Sequence, residues 1–179
     1  MSLSNSSEQK EFITIRSAVP ADYDAVVEIL SQAWESYAVT YPEVRESLKE
    51  ALRKYLEPGS QERIVAEAEG LIIGTAEIFH NAAEAYGDIQ QTLATPVLRR
   101  LAVAPGWQGK GIATQLIHES AKRALNAGAG YLYLHTSLET NASAARLYEH
   151  LGFVRSHDQD LHQGEYFMEG FRLDLTAEL

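Results

Sequence analysis

The sequence predicts an α/β (α+β) fold in one domain, and two observations carry that expectation. Hydrophobic patterns of period two and of period three to four alternate along the chain, amounting to about seven strands and about four helices. The chain has 179 residues, 45% hydrophobic and 22% charged, with no repeat, low-complexity linker or shift in composition. That is enough for one well-packed domain and short for two. Residues 12–179 are assigned to this domain, and the polar segment 1–11 reads as a disordered leader.

Each element has its own signal. Phe12 to Arg16 (FITIR) alternates and reads as a strand. Pro20 opens a helix whose apolar positions Tyr23, Val26, Val27, Leu30, Trp34 and Tyr37 recur at three and four. A second helix is expected over Val44 to Leu56, closed by Pro58-Gly59. RIVAEA and LIIGTAEIF form a hairpin about Glu69-Gly70, and a polar loop leads to the strand PVLRRLAV. A glycine-rich turn follows, then a helix with Ile112, Ala113, Leu116, Ile117, Ala121, Ala124 and Leu125 on one face, stopped by Gly128. YLYLHT is a buried strand, NASAARLYEHL a short helix, and FVRSHD and EYFMEGFRLDL are closing strands.

Composition excludes several classes. No apolar run approaches the roughly 20 residues of a membrane span, and the N-terminus has no signal-peptide pattern. The absence of cysteine removes disulfides, thiolate metal sites and a cysteine nucleophile, so the expected localisation is cytoplasmic. A formal charge of −10 opposes a nucleic-acid surface, which needs a basic footprint.

The turn VAPGWQGKGIATQL carries the functional signal. The first N–H groups of a helix lack internal partners and sit at the positive end of its dipole, so they form an anion site if nothing bulky blocks the approach. Gly109, Gly111 and Ala113 clear the way, and Lys110 adds a cation at the rim. Two familiar phosphate loops fail: Gly109-Lys110 is followed by Gly111 rather than Ser or Thr, and Thr114 breaks the dinucleotide pattern.

What remains, Gln108-x-x-Gly111-x-Ala113 directly after a strand, resembles the pyrophosphate turn of the GNAT superfamily of N-acetyltransferases. Downstream, Asn141, Tyr148 and Leu151-Gly152-Phe153 are similar to the family's closing half-site, in the right order and at a spacing that admits one helix and one strand between them. The resemblance implies a mixed, mostly antiparallel sheet in which LRRLAV and YLYLHT run parallel and splay apart. It implies acetyl-CoA as co-substrate, its pantetheine arm paired with the backbone of Leu101, Ala102 and Val103. The pyrophosphate would be wrapped by Gln108, Gly109, Lys110, Gly111, Ile112, Ala113 and Thr114, with Asn141 bonding the arm from the other side.

The implied reaction is direct attack of a primary amine on the thioester, with no acyl-enzyme. An amine of pKa near 10.4 is about one part in 10³ neutral near pH 7 and needs a base. The oxyanion would fall to the Val103 N–H by family position, and Tyr148 would protonate the leaving thiolate; its other reading is a packing residue. The family's base position holds no carboxylate here. A regular strand would put Val97, Arg99 and Leu101 on one face and Leu98, Arg100 and Ala102 on the other, and arginine is no base. Glu77 on the neighbouring strand is therefore the candidate, its other reading being an exposed strand carboxylate. His80 and a bound water stay as alternatives. Either Arg99 or Arg100 faces the acceptor and holds a carboxylate, or is an ordinary ion-paired arginine; Arg99 is taken as the substrate candidate. Trp34 and Tyr37, with Tyr41, are candidate walls of the acceptor site, and Trp107 lies over the cofactor or covers the loop. His157, Asp158, Asp160 and His162 lack the fixed spacing of metal ligands, so no metal is expected. The expected partners are a small-molecule or peptide amine and, as an open alternative, a second copy of the chain in a homodimer. A non-catalytic acyl-CoA-binding or regulatory domain remains the competing reading.

Overall fold

The computed structural model describes residues 12–40, 52, 61–86, 95–139, 141–163 and 166–176; side chains at 34, 36–40, 163 and 166 lie outside that description. The second helix expected over Val44 to Leu56 therefore falls outside it, apart from helical Leu52. In chain order the elements are β1 (Thr14–Ser17), a 3-10 turn (Pro20–Asp22), α1 (Tyr23–Thr40), β2 (Glu62–Ala68), β3 (Leu71–Phe79), α2 (Ala82–Tyr86) and β4 (Val97–Val103). Then follow a 3-10 turn (Pro105–Trp107), α3 (Ile112–Asn126), β5 (Tyr131–Thr136), α4 (Ala142–His150), β6 (Val154–Arg155), β7 (Leu161–Gln163) and β8 (Tyr166–Asp174). The short α2 sits in the stretch read above as a polar loop, β7 is an additional strand between the two expected closing strands, and FVRSHD yields only a two-residue strand. No helix among the described residues is long and apolar enough to cross a membrane.

The sheet runs β1-β2-β3-β4-β5-β8-β6, with β7 on β8. Every pairing is antiparallel except β4 with β5, which is parallel and registers only at Val97↔Tyr133. Both faces are covered, so β3 is buried from Ile73 to Phe79 and β4 is buried or half-buried along its length. On one face α3 and α4 close the main core: Ile64, Ala76, Ile78, Leu98, Ile112, Leu116, Ile117, Leu132, Leu134 and Phe171 pack together. On the other, Val26, Ile29 and Leu30 of α1 cover Val65 and Ala102. Beside them, Ala82, Ala85 and Tyr86 of α2 cover Phe79, Val97, Tyr133 and Leu161. The corner into α1 is set by Asp22, which accepts the Val19 N–H at 2.8 Å and takes a two-point bond from Arg16 at 2.8 and 3.0 Å. The Arg16 bond holds the Asp22 carboxyl below the usual range.

β4 departs from the regular alternation expected of it. Thr75 pairs with Ala102 but Glu77 with Arg99, so Ala76 faces two residues of β4, and Arg100 takes a left-handed φ of 52°. This is a bulge with one extra residue. A non-glycine residue there costs on the order of 1–3 kcal/mol. The consequence is a change of face within the strand. Leu98, Leu101 and Val103 all pack into the α3 core, whereas Val97 and Ala102 lie on the α1–α2 side. Arg99 and Arg100 both turn toward that second side, their guanidiniums 4.7 Å from the Tyr86 ring centre and 5.8 Å from that of Phe79. A regular strand would have separated the two arginines.

The α2 cluster also holds a polar pair, buried Tyr86 and half-buried His135. His135 of β5 pairs in register with Gly170 of β8, and a β-carbon at Gly170 would meet the Ser156 carbonyl at 2.9 Å and the Gln159 carbonyl at 3.0 Å. Only the missing side chain lets the 156–159 segment lie so close. That approach brings the Gln159 carbonyl to 2.8 Å from His135 Nε2, while Nδ1 is 3.0 Å from the Tyr86 hydroxyl. Burial pushes the imidazole down to about 4, against the opposing pull of the Gln159 carbonyl. A histidine whose folded pKa is depressed contributes its stability in full above the unfolded value near 6.5 and loses it as pH falls toward 4, because the unfolded chain then binds the extra proton. Urea unfolding should therefore show up to about 3 kcal/mol of stability lost between pH 7 and pH 4 on this account. The His135→Gln protein should lack that part of the slope; equal slopes in both proteins would show that His135 titrates normally.

Candidate active site

The turn after β4 is built as the glycine pattern requires. Pro105–Trp107 form one 3-10 turn, Gln108 is extended, and Gly109 and Gly111 take φ of 77° and 79°. Left-handed backbone of this kind favours glycine because a β-carbon crowds the following carbonyl. Space around both glycines is open, with nothing within 4 Å of where a β-carbon would stand. Gly111 is the N-cap of α3 and supplies no side-chain cap. The first helical bond runs from the Gln115 N–H to the Gly111 carbonyl, so the N–H groups of Ile112, Ala113 and Thr114 precede the helical ladder. Lys110 leans over Trp107, its Nζ 4.7 Å from the ring centre, which sets the cation beside the turn. Gln108 Nε2 donates to the Val103 carbonyl at 3.4 Å and ties the turn back to the strand.

The strand feeding this turn has an open edge. Beyond Val97, β4 has no registered partner on β5, while its other edge stays paired with β3 as far as Val103. The Ala104 N–H reaches the Ile73 carbonyl at 2.8 Å. Because strand amides alternate in direction, the Val103 N–H then points the opposite way, toward the gap. The Leu101 N–H does the same, and Ala102 turns to β3. Bulge and gap are successive: β4 leaves β5 after Val97 and kinks at Arg100.

α4 follows β5 and packs into the main core through Ala145 and Tyr148. Its N-cap is Asn141, whose Oδ1 accepts the Ala144 N–H at 3.4 Å. Tyr148 lies two helical turns on, on the same face. It is 9% exposed, with ring centres 5.9 Å from Phe153 and 6.2 Å from Phe171.

Glu77 is fully buried rather than an exposed strand carboxylate, and Arg100 Nη1 bonds its Oε2 at 2.8 Å. Its Oε1 and the Arg100 Nε are buried and have no hydrogen-bond partner among the described residues. Such an orphaned atom costs about 1–3 kcal/mol unless a ligand or water satisfies it. Arg99, directly across the ladder from Glu77, donates to the Ala85 carbonyl and stacks on Tyr86. His80 is exposed at the end of β3, apart from the buried pair. Asp160 is held by Arg155 and by the Gly170 N–H, a structural role. The side chains of Trp34 and Tyr37, and all of Tyr41, lie outside the described residues.

The structure thus gathers Glu77, Arg99, Arg100, Tyr86 and His135 on one face of the sheet, with the bare α3 N-terminus following the end of β4 and Tyr148 packed in the core on Phe153 and Phe171. Tyr86 and His135 were not among the sequence candidates. Their one sequence signal was an aromatic and a histidine in otherwise apolar or small-residue runs.

Residues 23–153 match the acetyltransferase (GNAT) family. Solved structures share the fold. An acetyltransferase of the GNAT family from Staphylococcus aureus is 16% identical, with a TM-score of 0.67 over 92% of this chain and 100% of its own. The PaiA N-acetyltransferase of Thermoplasma acidophilum, solved in complex with coenzyme A, is 18% identical with a TM-score of 0.64 over 91% and 99%. The histone acetyltransferase HPA2 and related acetyltransferase from Corynebacterium glutamicum is 20% identical, with a TM-score of 0.68 over 90% and 96%. No curated protein sequence matches the chain. The family match runs from α1 through the turn to the end of α4, and on it the chain belongs to the GNAT acetyltransferase family.

Proposed function

We propose that the protein transfers an acetyl group from acetyl-CoA to a primary amine by direct attack in a ternary complex. One observation carries the reading: the open edge of β4 runs straight into a helix N-terminus stripped of side chains. The edge suits an amide-bearing arm, and the helix mouth suits a pyrophosphate. In this reading Leu101 and Val103 pair with the pantetheine arm. Gln108 to Thr114 surround the phosphates, with the N–H groups of Ile112, Ala113 and Thr114 as donors and Lys110 at the rim. Asn141 bonds the arm from α4.

The chemistry follows from placed groups. Glu77 Oε1 has a lone pair uncommitted to Arg100 and accepts the amine proton, directly or through a water; this is the use to which its orphaned state points. The neutral amine attacks the thioester carbonyl, and the Val103 N–H, turned to the gap, stabilises the oxyanion. The carbon–sulfur bond then breaks, Tyr148 protonates the thiolate, and the second amine proton leaves the nitrogen as the amide forms, restoring the Tyr148 phenol directly or through water. The competing reading, a domain that binds acyl-CoA without transfer, draws on one fact: Glu77 is already engaged by Arg100 in a buried ion pair, as a purely structural carboxylate would be. Release of free thiol from acetyl-CoA under a panel of amines decides between them. Saturable acetyl-CoA binding with no thiol release would establish the binding domain.

Gly111→Val places a β-branched side chain in the open approach and strains the left-handed turn. Calorimetry should show acetyl-CoA affinity weakened by at least tenfold in a folded variant, whereas Lys110→Ala, which removes a screened rim charge, should cost only a few-fold. Unchanged affinity in Gly111→Val would remove the turn from the site.

Tyr148→Phe keeps the ring packed on Phe153 and Phe171 but removes the proton. The expected loss is about 10² in kcat, the low end for a general acid because a thiolate of pKa about 8 to 9 leaves tolerably well unaided, with KM for acetyl-CoA little changed. Steady-state rates between pH 6 and 9 check it; wild-type kcat throughout would leave Tyr148 as a packing residue.

A further inference from the structure

We propose that the Tyr86 hydroxyl is the hydrogen-bond acceptor that receives an N–H of the substrate amine, its polarity imposed from behind by His135 and the Gln159 carbonyl. The proposal rests on the acetyl-transfer reading and adds to it a residue that fixes where the amine sits.

The direction of this three-member chain is determined by elementary donor and acceptor rules. A backbone carbonyl only accepts, so at 2.8 Å from Gln159 the His135 Nε2 must carry a hydrogen. Burial keeps the ring neutral, so Nδ1 is bare and can only accept. The Tyr86 hydroxyl, 3.0 Å away, therefore donates its one hydrogen to Nδ1. What Tyr86 has left is lone pairs, and these suit a donor such as an amine. Burial also keeps the phenol protonated, against the pull of the Arg99 and Arg100 charges.

Position supports the role. Tyr133 is the residue at which β4 and β5 still register, and His135 is the next residue on its face, where the strands have parted. Tyr86 lies edge-on to the His135 ring and beneath the Arg99 guanidinium. Arg99 in turn stands across the ladder from Glu77, the proposed base. The polar chain is thus on the same face as the base and at the point where the sheet opens. Fold alone does not call for it: an apolar pair would fill the α2 cluster without the need to join buried Tyr86 to half-buried His135 and Gln159 in series. Gly170, whose lack of a side chain admits the Gln159 carbonyl, completes the arrangement from the opposite side.

The test compares wild type with Tyr86→Phe, a change that keeps the ring and its stacking. With an amine identified by thiol release, KM for that amine should rise about tenfold, the worth of one hydrogen bond, while kcat and the acetyl-CoA dissociation constant stay within about twofold. Nitrogen-15 spectra of the wild-type imidazoles between pH 5.5 and 8 should show His135 protonated at Nε2 alone. An unchanged amine KM in folded Tyr86→Phe would overturn the proposal, as would a His135 carrying its hydrogen on Nδ1. If the wild type binds acetyl-CoA and releases thiol to no amine, the transfer reading fails and takes this proposal with it. Transfer with an unaltered KM removes the proposal alone.

Discussion

The architecture of the site depends on one backbone constraint, the left-handed Arg100 in the middle of β4. That residue inserts an extra step into the strand, changes which side chains face which layer, and bends the strand just after it leaves β5. Its conformation is unfavourable for arginine, and the ion pair with Glu77 and the contact with Phe79 are what hold it. The pair is buried to 4% and 0% side-chain exposure. Attraction at that depth is strong, but so is the loss of hydration, and such pairs contribute little net stability compared with apolar residues of the same shape. What the pair supplies is geometry. Removing either member would leave an uncompensated buried charge beside a strained residue, so the bulge and the carboxylate's orientation are one unit.

Local signals were legible in the sequence wherever they were decided locally. The turn from Pro105 to Gly111 follows from residues that tolerate only a few backbone conformations, and Gly109 and Gly111 there are left-handed. The face of α3 follows from a periodicity that its buried residues Ile112, Leu116, Ile117, Ser120, Ala121 and Ala124 reproduce, with a small polar residue admitted at Ser120. The spacing of Asn141 and Tyr148 places them on one face because a helix repeats every 3.6 residues.

Features decided at a distance were not legible. Nothing in LRRLAV marks Arg100 as left-handed; a carboxylate on another strand and a ring beneath it choose that state, and the alternation read from the strand fails there. Glu77 was legible as a base candidate, but its burial was not, and a solvated strand carboxylate stood as its other reading, because its partner is 23 positions away. The polar chain of Tyr86, His135 and Gln159 joins three segments whose proximity exists only after β8 has folded back over β5. The five residues of α2 were too short and too alanine-rich to show a period, and β7 is a strand only because β8 offers it an edge.

The single rung between β4 and β5 has a mechanical consequence. Strands β1 to β4 and strands β5 to β8 form two blades of one sheet, joined at Val97↔Tyr133 and backed by α3. A sheet with a missing seam is soft along that line, since the ladder bonds that would resist shear are absent. An extended ligand lying in the seam would supply those bonds and act as an additional strand. Occupancy would then stiffen both blades together, raising the melting temperature with the logarithm of ligand concentration and slowing amide exchange far from the point of contact. In that sense a co-substrate bound as proposed above would complete the sheet that positions it.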